Sequence, residues 1–269
     1  MVFESLINSI AKIGASKVDI CGANFNCEPS KIQKDVIIAP TWEVNIFKNH
    51  VDKIIEVGNS GRGFSVYEIH IKDKKLTYVN TNIGACNILD ATLSLGCTPC
   101  QNIIFVGSVG ALSNEMNIGD IIVPKYSICG VGTNRYLNIT NYKEDPFNKY
   151  YPNKKSYLKL LSIANEVTRN SNIKNHIGHT YTMDTIFAEY YYINEIIKIG
   201  CNSIEMETAT FFHASNIANL NSCALFGVSD NVIINKSLYC GRNTYDRSLS
   251  KKVKNEVIPK IILEYFNIK

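Results

Sequence analysis

Glu205 and Glu207 stand in Gly200-Cys201-Asn202-Ser203-Ile204-Glu205-Met206-Glu207-Thr208-Ala209-Thr210, where apolar residues alternate with carboxylates ahead of the helix-forming run Phe211-Phe212-His213-Ala214. Extended backbone repeats its side-chain direction every two residues, so this alternation points both carboxylates the same way. Two carboxylates where a strand gives way to a helix are costly to bury without partners. Two readings of Glu207 stand: a negative group at a helix N-terminus, or an acceptor for the hydroxyls of a bound substrate. Asp230 follows the apolar run Ser222–Val228 and reads either as a turn cap or as an acid at a strand end. Gly107-Ser108-Val109-Gly110 follows the apolar run Asn102–Val106, as a tight turn or as a loop open to an anion.

The elements that must position these residues are legible as apolar patterns. Asp35–Ala39, Asn102–Val106, Asp120–Val123, His176–Met183 and Ser222–Val228 read as buried strands. Tyr67–Ile71 and Leu76–Val79 alternate around Lys72-Asp73-Lys74-Lys75 and predict a hairpin whose turn lacks glycine. Helical spacing predicts helices over 4–13, 42–55, 85–95, 156–169, 189–199, from 208 onward, and over 246–267. Residues 19–34 read as polar and irregular, and 130–153 as a long loop. Strands alternating with helices imply an α/β fold with helices on both faces of a sheet, where ligands bind at the carboxyl ends of strands. Pro40-Thr41, Asn82-Ile83-Gly84, Gly107-Ser108, Met183-Asp184, Glu207 and Ser229-Asp230 all fall at such ends. With no repeat or linker, residues 1–269 read as one domain.

Composition narrows the class. A chain of 269 residues with 45% apolar content can bury a large core. A net charge of +4, spread along the chain, gives no basis for nucleic-acid binding. No apolar run reaches the roughly 18 residues of a membrane span, and Met1-Val2-Phe3-Glu4-Ser5 predicts no secretory signal. Nine cysteines, among them Cys86, Cys97, Cys201 and Cys223 in apolar surroundings, fit buried free thiols in a reducing cytoplasm. No metal site and no organic cofactor is expected.

Together, Val106-Gly107-Ser108-Val109-Gly110-Ala111-Leu112, Ile118-Gly119-Asp120-Ile121-Ile122-Val123-Pro124, Ile204-Glu205-Met206-Glu207-Thr208-Ala209 and Val228-Ser229-Asp230 resemble the class I nucleoside phosphorylase and nucleosidase superfamily. Order and spacing agree from about residue 35 to the C-terminal helix. The resemblance implies a single-domain three-layer α/β/α fold with a mixed central sheet. It implies that Glu207, with Glu205 beside it, binds the ribose hydroxyls and that Met206 packs on the sugar. Asp230 matches the acid at purine N7, Ile186 and Phe187 the base-stacking position, and Ser108 with Gly107 the phosphate- or water-binding loop. It further implies a nucleoside substrate, phosphate as co-substrate, and a homo-oligomer (dimer, trimer or hexamer) in which Arg62, His50 or His70 crosses to a neighbouring site.

The sequence departs from the family at the phosphate. The loop Pro40-Thr41-Trp42-Glu43-Val44-Asn45 lacks the family's arginine, and Phe105 replaces a second one. Arg62 in Gly61-Arg62-Gly63 matches a third, while Arg242 and Arg247 are alternative sources of charge. The expectation is phosphorolysis of a purine nucleoside to base and sugar 1-phosphate. Two alternatives remain open: a hydrolytic nucleosidase, with Glu43 standing in to position water, and a catalytically silent nucleoside binder.

Overall fold

Val36 and Ile38 pack into one apolar cluster, and their neighbours Ile37 and Ala39 into another. Asp35–Ala39 is therefore a strand covered on both faces, which is why its sequence is continuously apolar rather than alternating. The same division splits Ile103 and Phe105 from Ile104 and Val106, and Ala224 and Phe226 from Cys223 and Leu225.

The computed structural model describes residues 2–61, 63–138, 147–169 and 171–268. In chain order the elements are α1 (Val2–Ala11), α2 (Lys17–Phe25), β1 (Asp35–Ala39), β2 (Lys53–Asn59), β3 (Ser65–Ile71), β4 (Lys74–Asn80), α3 (Ala85–Leu95), β5 (Asn102–Ala111), β6 (Ile121–Cys129), β7 (Lys149–Tyr150), α4 (Lys154–Thr168), β8 (Asn175–Thr182), α5 (Ile186–Lys198), β9 (Ser203–Glu205), α6 (Thr208–Ile217), β10 (Asn221–Asn231), α7 (Thr244–Lys252) and α8 (Ile258–Tyr265). All ten strands belong to one mixed sheet. β5 lies parallel to β1 and β10 and antiparallel to β9. β10 then pairs with β6, β6 with β8, and β8 with β9, so these strands and β5 close a ring. β4, β3 and β2 extend the sheet beyond β1. Residues of α1, α2, α3 and α6 cover one face, and residues of α4 and α8 the other. The three-layer expectation holds.

Four local expectations are corrected. Of residues 19–34, read as irregular, 19–25 are helical as part of α2, because Ser16 and Asp19 cap each other's backbone N–H groups in a capping box. The helix expected over 42–55 is only a short 3₁₀ turn, Val44–Phe47. It gives way to β2, where β-branched Ile54 and Ile55 pair with Ile69 and Glu68 of β3. The expected loop over 130–153 contains the 3₁₀ turn Thr133–Leu137 and the strand β7; residues 139–146 lie outside the described residues. The C-terminal helix is interrupted at Val253–Val257 by a wide π turn. Pro259 has no N–H to give the carbonyl of Asn255, and the His50 ring Nε2 takes that oxygen at 2.8 Å instead. His70 is likewise engaged within the chain, on Glu68.

The glycine-free hairpin turn forms with Lys72 at φ 53°. All nine cysteines are free thiols. Cys86, expected to be buried, is exposed, and the CxxC-spaced pair Cys97 and Cys100 is buried, with burial pushing both thiols up.

Phe211 sits between Phe105 and Phe212 at ring-centroid distances of 5.3 and 5.7 Å and is fully buried. Phe211→Ala should lower the unfolding free energy by about 3–5 kcal/mol through lost burial and a residual cavity. The urea midpoint tests this, and an unchanged midpoint would show that α6 is not seated on the sheet through this ring.

Candidate active site

The carboxyl ends of β1, β5 and β10, the β9–α6 junction, α5 and the C-terminal segment enclose a cleft of about 420 Å³. Its floor is the Gly107–Gly110 stretch of β5, and four carboxyl groups, Glu189, Glu205, Glu207 and Asp230, line it.

Glu205 and Glu207 do not act alike. The alternation stops at Glu205, because Glu207 has φ −139° and ψ −24° and already turns the chain into α6. Glu205 accepts the N–H groups of Glu207 and Thr208, both at 2.7 Å, and the hydroxyl of Thr182 at 2.6 Å. These are donors that the first turn of a helix leaves unpaired. Glu205 therefore holds the helix start, and its place in the cleft wall is structural in character. Burial pushes its carboxyl up against the opposing pull of these donors.

Glu207 occupies the N-cap position by backbone, but its side chain caps nothing in α6. Its Oε1 instead accepts the N–H of Gly84 at 2.7 Å, across the cleft mouth. Gly84 has φ +116°, a conformation L-residues avoid, which lets the chain entering α3 turn its N–H toward this carboxyl. A carboxylate offers about four acceptor directions, so Glu207 keeps capacity for ligand hydroxyls. Burial first, and the neighbouring Glu205 second, push it up to about 8. Met206, between the two, also lines the cleft.

Asp230 is brought inward by an irregularity in β10: the register with β5 shifts between Val228 and Asp230. Its Oδ1 accepts the Ser229 hydroxyl at 2.7 Å. Burial pushes its carboxyl up, while that hydroxyl and the Arg242 guanidinium pull it down. Arg242 is committed to main chain, donating to the carbonyls of Ser229 at 3.1 Å and Leu238 at 2.9 Å.

At the other side of the cleft, the indole N–H of Trp42 donates to the Ser108 hydroxyl at 3.1 Å. The Trp42 carbonyl accepts from Tyr78 and Asn80, which fixes the segment after β1. The Lys254 ammonium lies 5.4 Å from the centre of the Trp42 ring, and burial lowers its pKa against the pull of Glu43. Lys254 comes from the π turn, so the irregularity imposed by Pro259 lies in the segment that places a cation in the cleft.

Of the sequence-derived residues, Asp230, Glu207, Met206, Glu205, Ser108, Gly107 and Ile186 line this one cleft. Phe187 does not: it is 88% exposed, on the outer side of the first turn of α5. Arg62 lies outside the described residues. Glu43 is exposed and absent from the cleft wall. Sequence reasoning missed Glu189 and Lys254. Glu189 had a signal, since it stands one helical turn after Ile186 on the same face. Lys254 had none, standing among the exposed Lys251 and Lys252.

Glu207 at about 8 and Glu189 at about 7 bind protons in the folded protein that they release near the ordinary value of 4.5 when unfolded. Their contribution to stability is full below 4.5 and is lost as pH rises through 7 and 8. The melting temperature of the ligand-free protein should therefore fall from about pH 5.5 to 8.5, and Glu207→Gln should flatten that slope. Calorimetry across this range is the check; a melting temperature that rises or stays level would contradict the burial of these acids.

Comparison with known proteins agrees with the fold. The family model described as "Phosphorylase superfamily" matches residues 36–247. A DeoD-type purine nucleoside phosphorylase of Bacillus velezensis is 22% identical over 218 residues, covering 78% of this chain and 88% of that protein. Uridine phosphorylase from Vibrio fischeri has a similar structure, with TM-score 0.71, 20% identity, and 89% and 94% of the two chains covered. Purine nucleoside phosphorylase from Toxoplasma gondii, solved with immucillin-H, superposes with TM-score 0.68 at 17% identity, over 88% and 93% of the chains. With the family pattern spanning most of its length and the same fold in solved relatives, the chain belongs to the phosphorylase superfamily.

Proposed function

We propose that this protein cleaves the N-glycosidic bond of a purine nucleoside by phosphorolysis, giving the free base and a sugar 1-phosphate. The observation that carries the reading is the arrangement within one cleft: Lys254 and Ser108 on one side, and the buried carboxyls Glu207 and Asp230 on the other. Breaking the C1′–N9 bond sends its electron pair to the base and leaves positive charge on the sugar. An acid at the base and a carboxylate near the sugar stabilise opposite ends of that transition state. Asp230, raised by burial, supplies the proton at N7. Glu207 accepts from the ribose hydroxyls, with Met206 against the sugar. Ser108, the Gly107–Gly110 main chain and Lys254 receive the phosphate whose oxygen forms the new bond to C1′. DeoD-type purine nucleoside phosphorylases among the relatives support the purine assignment.

Hydrolysis is a second reading, favoured by one observation. Arg242 is spent on two carbonyls, so among the described residues of the cleft Lys254 stands without a free arginine beside it for the phosphate. We further propose a cytoplasmic homo-oligomer, the form in which exposed Phe187 and Tyr191 beside the cleft become covered; light scattering showing only monomer at micromolar concentration would refute it.

Base and sugar 1-phosphate should appear together, and only with phosphate present. Asp230→Asn should lower kcat about 10²–10⁴-fold. Lys254→Met should raise KM for phosphate about tenfold or more, with a smaller change for the nucleoside. Free sugar released without phosphate would establish the hydrolytic reading instead, and no cleavage of any purine nucleoside would leave a silent binder.

A further inference from the structure

Of the four carboxyls in the cleft, Glu189 alone has no hydrogen-bond partner among the described residues. It stands on the first turn of α5 and is 7% exposed. A methyl group built on Gly110 would lie 3.5 Å from Asp230 Oδ2 and 3.7 Å from Glu189 Oε1. The two carboxyls therefore face the same point of the cleft, beside the floor strand.

The other charged or titratable groups near that point are few. Arg242 is held by two carbonyls. The Tyr190 phenol is pushed up by burial and by both carboxyls, so it stays neutral. Glu205 and Glu207 stand along the same wall, and burial pushes both up, so they favour their neutral forms. Two buried carboxyls facing one point repel when both are charged, so a form with a proton on one of them is favoured over the doubly ionised form. Glu189, pushed up to about 7 by burial and by Asp230, agrees with this.

A carboxyl pair with one proton presents one donor and one acceptor side by side. Adenine offers the complement on its N7 edge: N7 accepts and the 6-amino group donates. A 6-oxopurine offers two acceptors there, N7 and O6. We propose that Glu189 is a specificity-determining residue that, with Asp230, reads position 6 of the base and selects 6-aminopurine nucleosides over 6-oxopurine nucleosides. This rests on the glycosidic-cleavage reading of the same site. As the C1′–N9 bond breaks, its electrons pass to the base and the pair's proton goes to N7, while the ionised partner accepts from the 6-amino group. Solvent then returns a proton to the pair. A 6-oxo group would instead set its oxygen against that carboxylate, which a site built around buried polar partners rejects.

The test is kcat/KM for adenosine and for inosine with the full-length protein, from pH 5 to 8.5 in saturating phosphate. At pH 7.5 adenosine should be preferred about tenfold or more. The preference should shrink toward acid pH, as a second proton turns the acceptor into a donor that suits O6. Glu189→Gln, whose amide both donates and accepts, should bring the ratio near one and remove its pH dependence. A wild-type ratio that favours inosine or does not change with pH overturns the proposal, as does a folded Glu189→Gln that keeps the wild-type ratio. The wild-type series needs no variant to fold. If neither nucleoside is cleaved, the glycosidic reading fails separately, and base binding decides this one. Trp42, the protein's single tryptophan, lines the cleft and reports occupancy by its fluorescence. Adenine binding more tightly than hypoxanthine at pH 7.5 sustains the inference; equal or reversed affinities end it.

Discussion

One buried carboxylate sets the terms for the rest of the site. Glu205 accepts two backbone N–H groups at the start of α6 and the hydroxyl of Thr182 on β8. Thr182 in turn accepts the N–H of Ala209 at 2.9 Å and lies 2.8 Å from the Ser127 hydroxyl on β6. A strand end, a helix start and two neighbouring strands are thus fastened around a single side chain, with hydrogen bonds shielded from water. Because Glu205 satisfies the helix, Glu207 is released from capping and is free to reach across to Gly84. The two carboxyls that look equivalent in sequence divide into a fastener and one that reaches across to another segment of the cleft.

The cleft is electrically lopsided as a result. Acids gather where β9, β10 and α5 meet, and among the described residues lining the cleft the one cation not tied to main-chain carbonyls, Lys254, stands over Trp42 beside β1. Burial raises the acids toward neutrality and weakens the lysine's hold on its proton. A cleft of this kind suits a reaction in which an anion approaches from one side and electrons leave toward the other.

Much of this was legible from residue patterns. Continuous apolar runs named the strands, since a strand covered on both faces cannot alternate, and the motif at Glu205–Glu207 fell at a strand end as expected. What escaped depended on tertiary contact. The segment 42–55 has helical apolar spacing, yet β3 captures its last three residues into a strand. Glu189 and Lys254 reach the cleft only because α5 and the π turn are packed against it, which local sequence does not encode. Phe187 failed for the converse reason: its neighbour Ile186 takes the inward side of the helix, and one helical step of about 100° carries Phe187 outward.

The ring closed by β5, β10, β6, β8 and β9 leaves the sheet with few unpaired strand margins. Among the described residues the long one is β2, with the two-residue β7 as the short one. An unpaired margin is a template on which another chain can add a strand, and proteins blunt it with charge and bulges. β2 carries Lys53 and Glu56 and breaks its own register between Glu56 and Gly58. Among the described residues, the fold that gathers the site's walls into a ring thereby leaves one long margin open to strand addition, and that segment is already bulged and charged against it.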